Sequence, residues 1–222
     1  MRNINLFVED RGHNLFLQTL IYRLANQYGI SINIKVSSSS GGHGAVLSKL
    51  KEYINDLLHE QETLPDLLIA ATDGNCKGYV GRRQEINNAV RGFSGRIVYA
   101  IPDPHIERWL LLDSAAFKSV LGRGCDTPPR KCERDLYKRL LLQAIRATGV
   151  NPPLGGIEYT EDLVNSMDLD YLEHNDESLG KLLKELRQIF QQWQRSEQAG
   201  IQELHENTAS YILEADANNL QV

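Results

Sequence analysis

The chain has 222 residues, with 24 Lys and Arg against 29 Asp and Glu, 41% hydrophobic residues and a formal net charge of −5. That size and composition suit a globular protein with a proper core, and no apolar run is long enough for a membrane-spanning helix or a secretory leader, so a cytoplasmic protein is expected. The three cysteines, Cys76, Cys125 and Cys132, match no zinc or disulfide framework and read as reduced thiols.

In chain order, the apolar run Ile4 to Val8 reads as a first strand, and Leu17, Leu20, Leu24 and Tyr28 recur at helical spacing. Ile30, Ile32, Ile34 and Val36 alternate with polar residues, the pattern of a half-buried strand. After the loop SSSSGGHG (Ser37 to Gly44), Val46, Leu47, Leu50, Ile54, Leu57 and Leu58 form a second amphipathic face. Asp66 to Ala71 is an unbroken apolar strand suited to burial on both sides. Gly81 to Arg91 reads as a helix, Gly95 to Ile101 as a fourth strand, and HIERWLLLD as the next helix, with Pro104 at its first turn. Strands alternating with helices over residues 1–113 predict an α/β fold with a mostly parallel four-stranded sheet.

Beyond Asp113 the pattern is helical only. Glu133 to Ala147 places Leu136, Leu140, Ala144 and Ile145 on one face, and a strong helix from about Leu179 to Trp193 presents Leu179, Leu182, Leu183, Leu186, Phe190 and Trp193. The last 25 or so residues read as a frayed helix and tail. Two domains are expected, an α/β core over 1–113 and a helical extension over 114–222.

The net charge conceals a division. Residues 1–150 carry +5 and residues 151–222 carry −10, a basic body followed by an acidic segment. The acidic segment is suited either to a basic partner or to screening a cleft from adventitious nucleic acid.

In an open parallel sheet, ligands bind past the carboxyl ends of the strands. Glu9 and Asp10 follow the first strand, Asp73, Gly74 and Asn75 the third, and Asp103 the fourth, with Glu107 one helical turn later. Converging carboxylates make an oxygen-rich site of the kind that holds Mg²⁺ or Mn²⁺, although acids also occur at helix starts simply as caps. Lys77, Arg82 and Arg83 follow Asp73 directly and are candidate phosphate ligands. Residues 118–146 add eight further Lys and Arg, for which a solvated helix face is an equal alternative. The Ser37 to Gly44 loop lacks the Lys-Ser/Thr of a P-loop and reads as a flexible cleft wall, with His43 within it.

A strand ending in Val8-Glu9, an apolar strand ending in Asp73-Gly74-Asn75, and the run Ile106 to Asp113 with its flanking prolines together resemble the TOPRIM fold. More narrowly, they resemble the small TOPRIM-like nucleases related to the OLD family and found in bacterial anti-phage systems. The resemblance spans roughly Asn3 to Asp113. It implies Mg²⁺- or Mn²⁺-dependent phosphodiester cleavage, with Glu9, Asp73 and Glu107 catalytic, the metal on Glu9, Asp73 and Asn75, and nucleic acid, DNA or RNA, as substrate. Two departures stand out: Asn75 replaces a second Asp, and Asp10 and His13 stand where relatives carry Gly and an acid. His13 is either a substitute ligand or base or a polar surface residue at a helix start. Glu107 has two readings, a metal-site residue or an anchor for an Arg such as Arg96 or Arg108. The alternatives are a non-catalytic TOPRIM-like subunit binding nucleic acid or an ATPase partner, and a flavodoxin-like or receiver-like signalling domain, GRIVYAIPDP lacking the pattern a receiver requires.

Overall fold

Parallel strands buried at the centre of a sheet need apolar residues on both faces, and the chain has two such segments. In the computed structural model, which describes residues 1–39, 41–59 and 62–219 with side chains to residue 199, these are β1 (Arg2–Val8) and β3 (Leu67–Ala71). They pair with each other in parallel, β2 (Ile32–Ser38) and β4 (Ile97–Ala100) flank them, and the order is β2-β1-β3-β4. Every residue of β3 is buried, whereas edge strand β2 alternates between half-buried and exposed, as its alternating Ile residues predict.

Helix placement follows from this order. The connection from β1 to β2 runs one way along the sheet, while those from β2 to β3 and β3 to β4 run the other way. Right-handed crossovers therefore put the first helix on one face and the next two on the opposite face. Accordingly, α1 (Arg11–Tyr28) packs Phe16, Leu17, Leu20 and Leu24 against Ile4, Leu6 and Val8, while α2 (Gly42–Leu58) and α3 (Gly78–Ala89) pack Val46, Leu50 and Ile86 against Phe7, Leu68 and Ala70. The reversal falls between β1 and β3, which opens a crevice past their carboxyl ends.

Six helices follow: α4 (Ile106–Leu110), α5 (Ser114–Leu121), α6 (Leu136–Arg146), α7 (Thr160–Ser166), α8 (Leu169–Asn175) and α9 (Glu177–Asn219). They share one core with α1: Trp109, Phe117, Leu141, Leu183 and Phe190 belong to the same buried cluster as Phe16 and Leu20. The expected division at Asp113 therefore does not interrupt the core. Polar groups lock this layer from inside. The Trp109 indole donates to Ser178 Oγ at 2.9 Å, and the buried Arg108 guanidinium pairs with Asp176, which also caps α9 through the Leu179 N–H.

Several boundaries differ from those read in the sequence. HIERWLLLD is not one helix: Asp113 accepts from the Ala115 and Ala116 amides, both at 2.9 Å, and so starts α5 as a new helix. The buried stripe of α6 is Tyr137, Leu141 and Ile145, one residue around from the expected face. The apolar face of α9 from Leu179 to Phe190 is buried within the chain. The helix itself runs on to Asn219 where a frayed tail is expected. Side chains after 199 lie outside the described residues, and with them Glu203, Glu206, Glu214 and Asp216 of the acidic segment.

The cysteine reading needs correction. Cys76 and Cys132 form a disulfide with a Cα–Cα separation of 5.2 Å, leaving Cys125 as the free thiol. They lie 56 residues apart in sequence, and only the return of the segment after α5 across the turn after β3 brings them together. Among the described residues no helix is long and apolar enough to cross a membrane.

Candidate functional site

The crevice between β1 and β3 is a cleft of about 300 Å³ lined by Glu9, Asp10, Asp73, Asn75, His105 and Glu107, with Tyr137 and Lys138 of α6 and the Cys76–Cys132 bridge at its wall. Glu9 ties the two central strands together. Its Oε2 accepts from the Asp73 amide at 3.1 Å and from Thr72 Oγ1 at 2.5 Å. Thr72 Oγ1 in turn lies 2.9 Å from His43 Nδ1, whose Nε2 is 2.9 Å from Glu85. Thus His43 supports Glu9 through Thr72, and burial together with the nearby Arg82 holds its pKa below the ordinary value.

Asp73 is the hub. Its Oδ1 accepts the Ile106 amide at 2.9 Å and its Oδ2 accepts His105 Nδ1 at 2.8 Å. His13 Nε2 lies 3.3 Å from Oδ1, close enough for an ion pair but not aligned for a hydrogen bond. Burial alone would raise the pKa of Asp73, but the His13 charge and the His105 hydrogen bond hold it well below the usual carboxylate range.

His13 is fully buried, which overturns the reading of a polar surface residue. Asp10 caps α1 by accepting the His13 amide at 3.0 Å, and its Oδ1 also takes His13 Nδ1 at 2.9 Å. Side chains in a first helical turn lean back toward the helix start, so the ring falls between Asp10 and Asp73. Burial opposes its charge, yet the two carboxylates push its pKa up to about 10.

Glu107 faces the same cleft from α4. Its Oε2 is buried without a hydrogen-bond partner, and burial together with the Asp73 charge pushes its pKa up. The anchoring role toward Arg96 or Arg108 is not realised: Arg108 turns inward to Asp176, and the cation facing Glu107 is Lys138, with Nζ 4.0 Å from Oε1. Asp103 is turned out of the cleft and pairs with Arg130. Asn75, held at φ 48°, lines the cleft and contacts the Asp73 carbonyl through Nδ2 at 3.5 Å, which leaves its amide oxygen available.

The three basic residues after Asp73 do not form a set on the cleft. Arg82 is largely buried, donating to the Asp73 carbonyl at 3.1 Å and to Glu85 at 2.8 Å; Lys77 pairs with Glu85; and Arg83 lies over the Tyr99 ring at 5.1 Å. The exposed positive charge lining the cleft comes instead from Lys138, 62% exposed and 4.0 Å from Glu107, and Arg134, 96% exposed and 3.5 Å from its neighbour Asp135. His105 had a signal in the sequence, since it stands just past the fourth strand. Arg134 and Lys138 belong to the basic 118–146 group, whose sequence did not say which members reach the cleft; Tyr137 had no signal, because the fold alone delivers α6 and the residues before it to this edge.

Among the described residues no three His, Cys, Asp or Glu side chains are arranged to hold a metal ion as they stand. The donor chemistry nevertheless fits a hard divalent cation. Glu9 Oε1, the Asn75 amide oxygen, Asp73 and the unpartnered Glu107 Oε2 are all oxygen donors on one cleft, and burial first, then the Asp73 charge, raises the pKa of Glu107, a penalty on its ionised form that a cation would offset. His13 already offsets part of the Asp73 and Asp10 charge. No protein-family model matches the chain, and neither a curated protein nor a solved structure matches it.

Proposed function

We propose that the chain is a divalent-metal-dependent nuclease that hydrolyses nucleic-acid phosphodiesters in the cleft past β1 and β3. The observation that carries this reading is the convergence of Glu9, Asp10, Asp73 and Glu107 on one cleft, with a buried Glu107 oxygen lacking any partner. Glu9, Asp73 and Asn75, helped by Glu107, are the residues to hold Mg²⁺ or Mn²⁺. When bound, such an ion polarises the phosphate and lowers the pKa of a coordinated water.

The residues of the chain have separate tasks in this reading. Glu9 Oε1 accepts the proton of the attacking water. Asp73 orients His105, whose Nε2 is left to hold or give a proton at the leaving oxygen. Buried His13 keeps Asp73 ionised and in place, and Lys138 and Arg134 neutralise substrate phosphates. Assignment to an anti-phage or toxin-like module rests on the sequence resemblance alone. A non-catalytic subunit docking an ATPase partner keeps the support of Asn75 and His13 in place of acids but loses that of the α9 face, which is internal.

The test is cleavage of labelled single-stranded DNA, RNA and plasmid with Mg²⁺ or Mn²⁺, by the wild type and by Glu9→Gln and Asp73→Asn. Cleavage abolished in both variants and by chelator is expected. Equal cleavage by all three proteins, or none by the wild type, overturns the reading.

A further inference from the structure

The carboxylate cleft does not end at Glu107. Asp10, Glu107 and Lys138 also line a second cavity of about 410 Å³, whose remaining wall is apolar, built from Leu141 and Leu142 of α6 with Leu154 and Ile157 beyond it. Arg11 and Arg139 complete the rim. Leu154 is 52% exposed, an apolar side chain that the core does not use. The shared wall therefore divides a hydrophilic, oxygen-rich chamber from a hydrophobic one, with cations on the rim of both.

We propose that the second cavity receives the base of an unpaired nucleotide next to the scissile phosphate, which makes single-stranded nucleic acid or a frayed end the substrate rather than intact duplex. This rests on the nuclease reading and adds the substrate class. A nucleotide has the same division as the two chambers, an anionic phosphate joined to a flat ring with apolar faces. In a duplex the rings are stacked inside, and only phosphates and groove edges reach a protein surface. An apolar cavity adjoining the hydrolytic cleft across Asp10, Glu107 and Lys138 then has nothing to take up unless the nucleotide is extruded, at the cost of unstacking and unpairing. An unpaired strand presents its bases without that cost, and apolar contact with a base face is indifferent to sequence. The volume suits one ring system, since ligand pockets begin at a few hundred Å³. Lys138, present in both linings, sits where the phosphate between the two chambers would pass.

Binding is measured in chelator, so that cleavage does not intervene, by fluorescence polarisation of a short labelled DNA strand, its RNA counterpart, a blunt duplex of the same sequence, and a strand of abasic residues. Leu154→Ser removes apolar surface at an exposed position without adding charge, and Leu154→Met restores it. Single strands are expected to bind about tenfold tighter than duplex or abasic strand. Leu154→Ser should lose that advantage while leaving duplex affinity unchanged, and Leu154→Met should keep it. Equal affinity for based, abasic and duplex probes, or no effect of Leu154→Ser, overturns the base subsite. If the wild type also cleaves and Glu9→Gln does not, the nuclease reading survives that loss. Binding of no probe, with no cleavage, overturns both.

Discussion

His105 donates through Nδ1 to Oδ2 of Asp73 at 2.8 Å, and the same carboxylate holds the start of α4 through the Ile106 amide. An ionised carboxylate only accepts, so the proton on that side of the ring is fixed on Nδ1 and Nε2 is the atom that titrates. Three segments distant in sequence, α1 through His13, the end of β3, and α4, are thereby bound to one side chain.

That arrangement sets the titration of His105. Its hydrogen bond to Asp73 raises its pKa above the ordinary 6.5, against the opposing effect of burial. An NMR titration of the metal-free protein should show a midpoint above 6.5 that moves down in Asp73→Asn. An unchanged midpoint would mean that the pairing does not persist in solution.

His13 makes a second, larger contribution that appears in stability. Its folded pKa of about 10 exceeds the unfolded 6.5, so its stabilisation is complete below pH 6.5 and is lost as pH rises toward 10. His13→Gln leaves two carboxylates without their buried partner and should cost about 3 kcal/mol near pH 6. In urea denaturation the gap between wild type and variant should narrow steadily up to pH 10. A constant gap over that range would contradict a charged His13.

The disulfide closes a loop with a sequence separation of 56 between Cys76 and Cys132. Loop entropy alone makes such a link worth about 4 kcal/mol, and measured values commonly fall nearer 2–4. Paired Cys76→Ser and Cys132→Ser substitutions should lower the unfolding free energy by an amount in that range and speed proteolysis between α5 and α6. Thiol labelling of the unfolded, unreduced protein should modify Cys125 alone.

Gly180 tests packing against propensity. In an isolated helix Gly→Ala gains about 1 kcal/mol. Here a Cβ would stand 2.3 Å from the Glu173 carbonyl oxygen of α8, a backbone atom that moves only with its helix. Overpacking of this kind costs about 1–3 kcal/mol, so Gly180→Ala should lower the melting temperature. A rise would show that α8 shifts freely.

Local pattern was enough for the sheet and most helices. Alternating Ile residues mark edge strand β2, an unbroken apolar run marks β3, and the stripe from Leu179 to Phe190 marks α9, because period and burial are properties of neighbouring residues. The same local logic misled where a cap or a distant partner decides. Asp113 splits one expected helix into two, the α6 face turns by one residue to bury Tyr137, and His13 is drawn inside by Asp10 and Asp73.

The sequence by itself determined an α/β chain with acids after its strands and a basic body ahead of an acidic segment. Only the tertiary structure decided which of those acids meet. Strand order puts the reversal between β1 and β3, so Glu9 and Asp73 share a crevice, while Asp103 beyond β4 turns to Arg130. It also decided that Arg82 and Lys77 are held by Glu85, and that α6 brings Lys138 and an apolar wall to the cleft edge. The physical reason is that charge neutralisation and cavity shape depend on distances across the fold, which residue spacing along the chain does not encode.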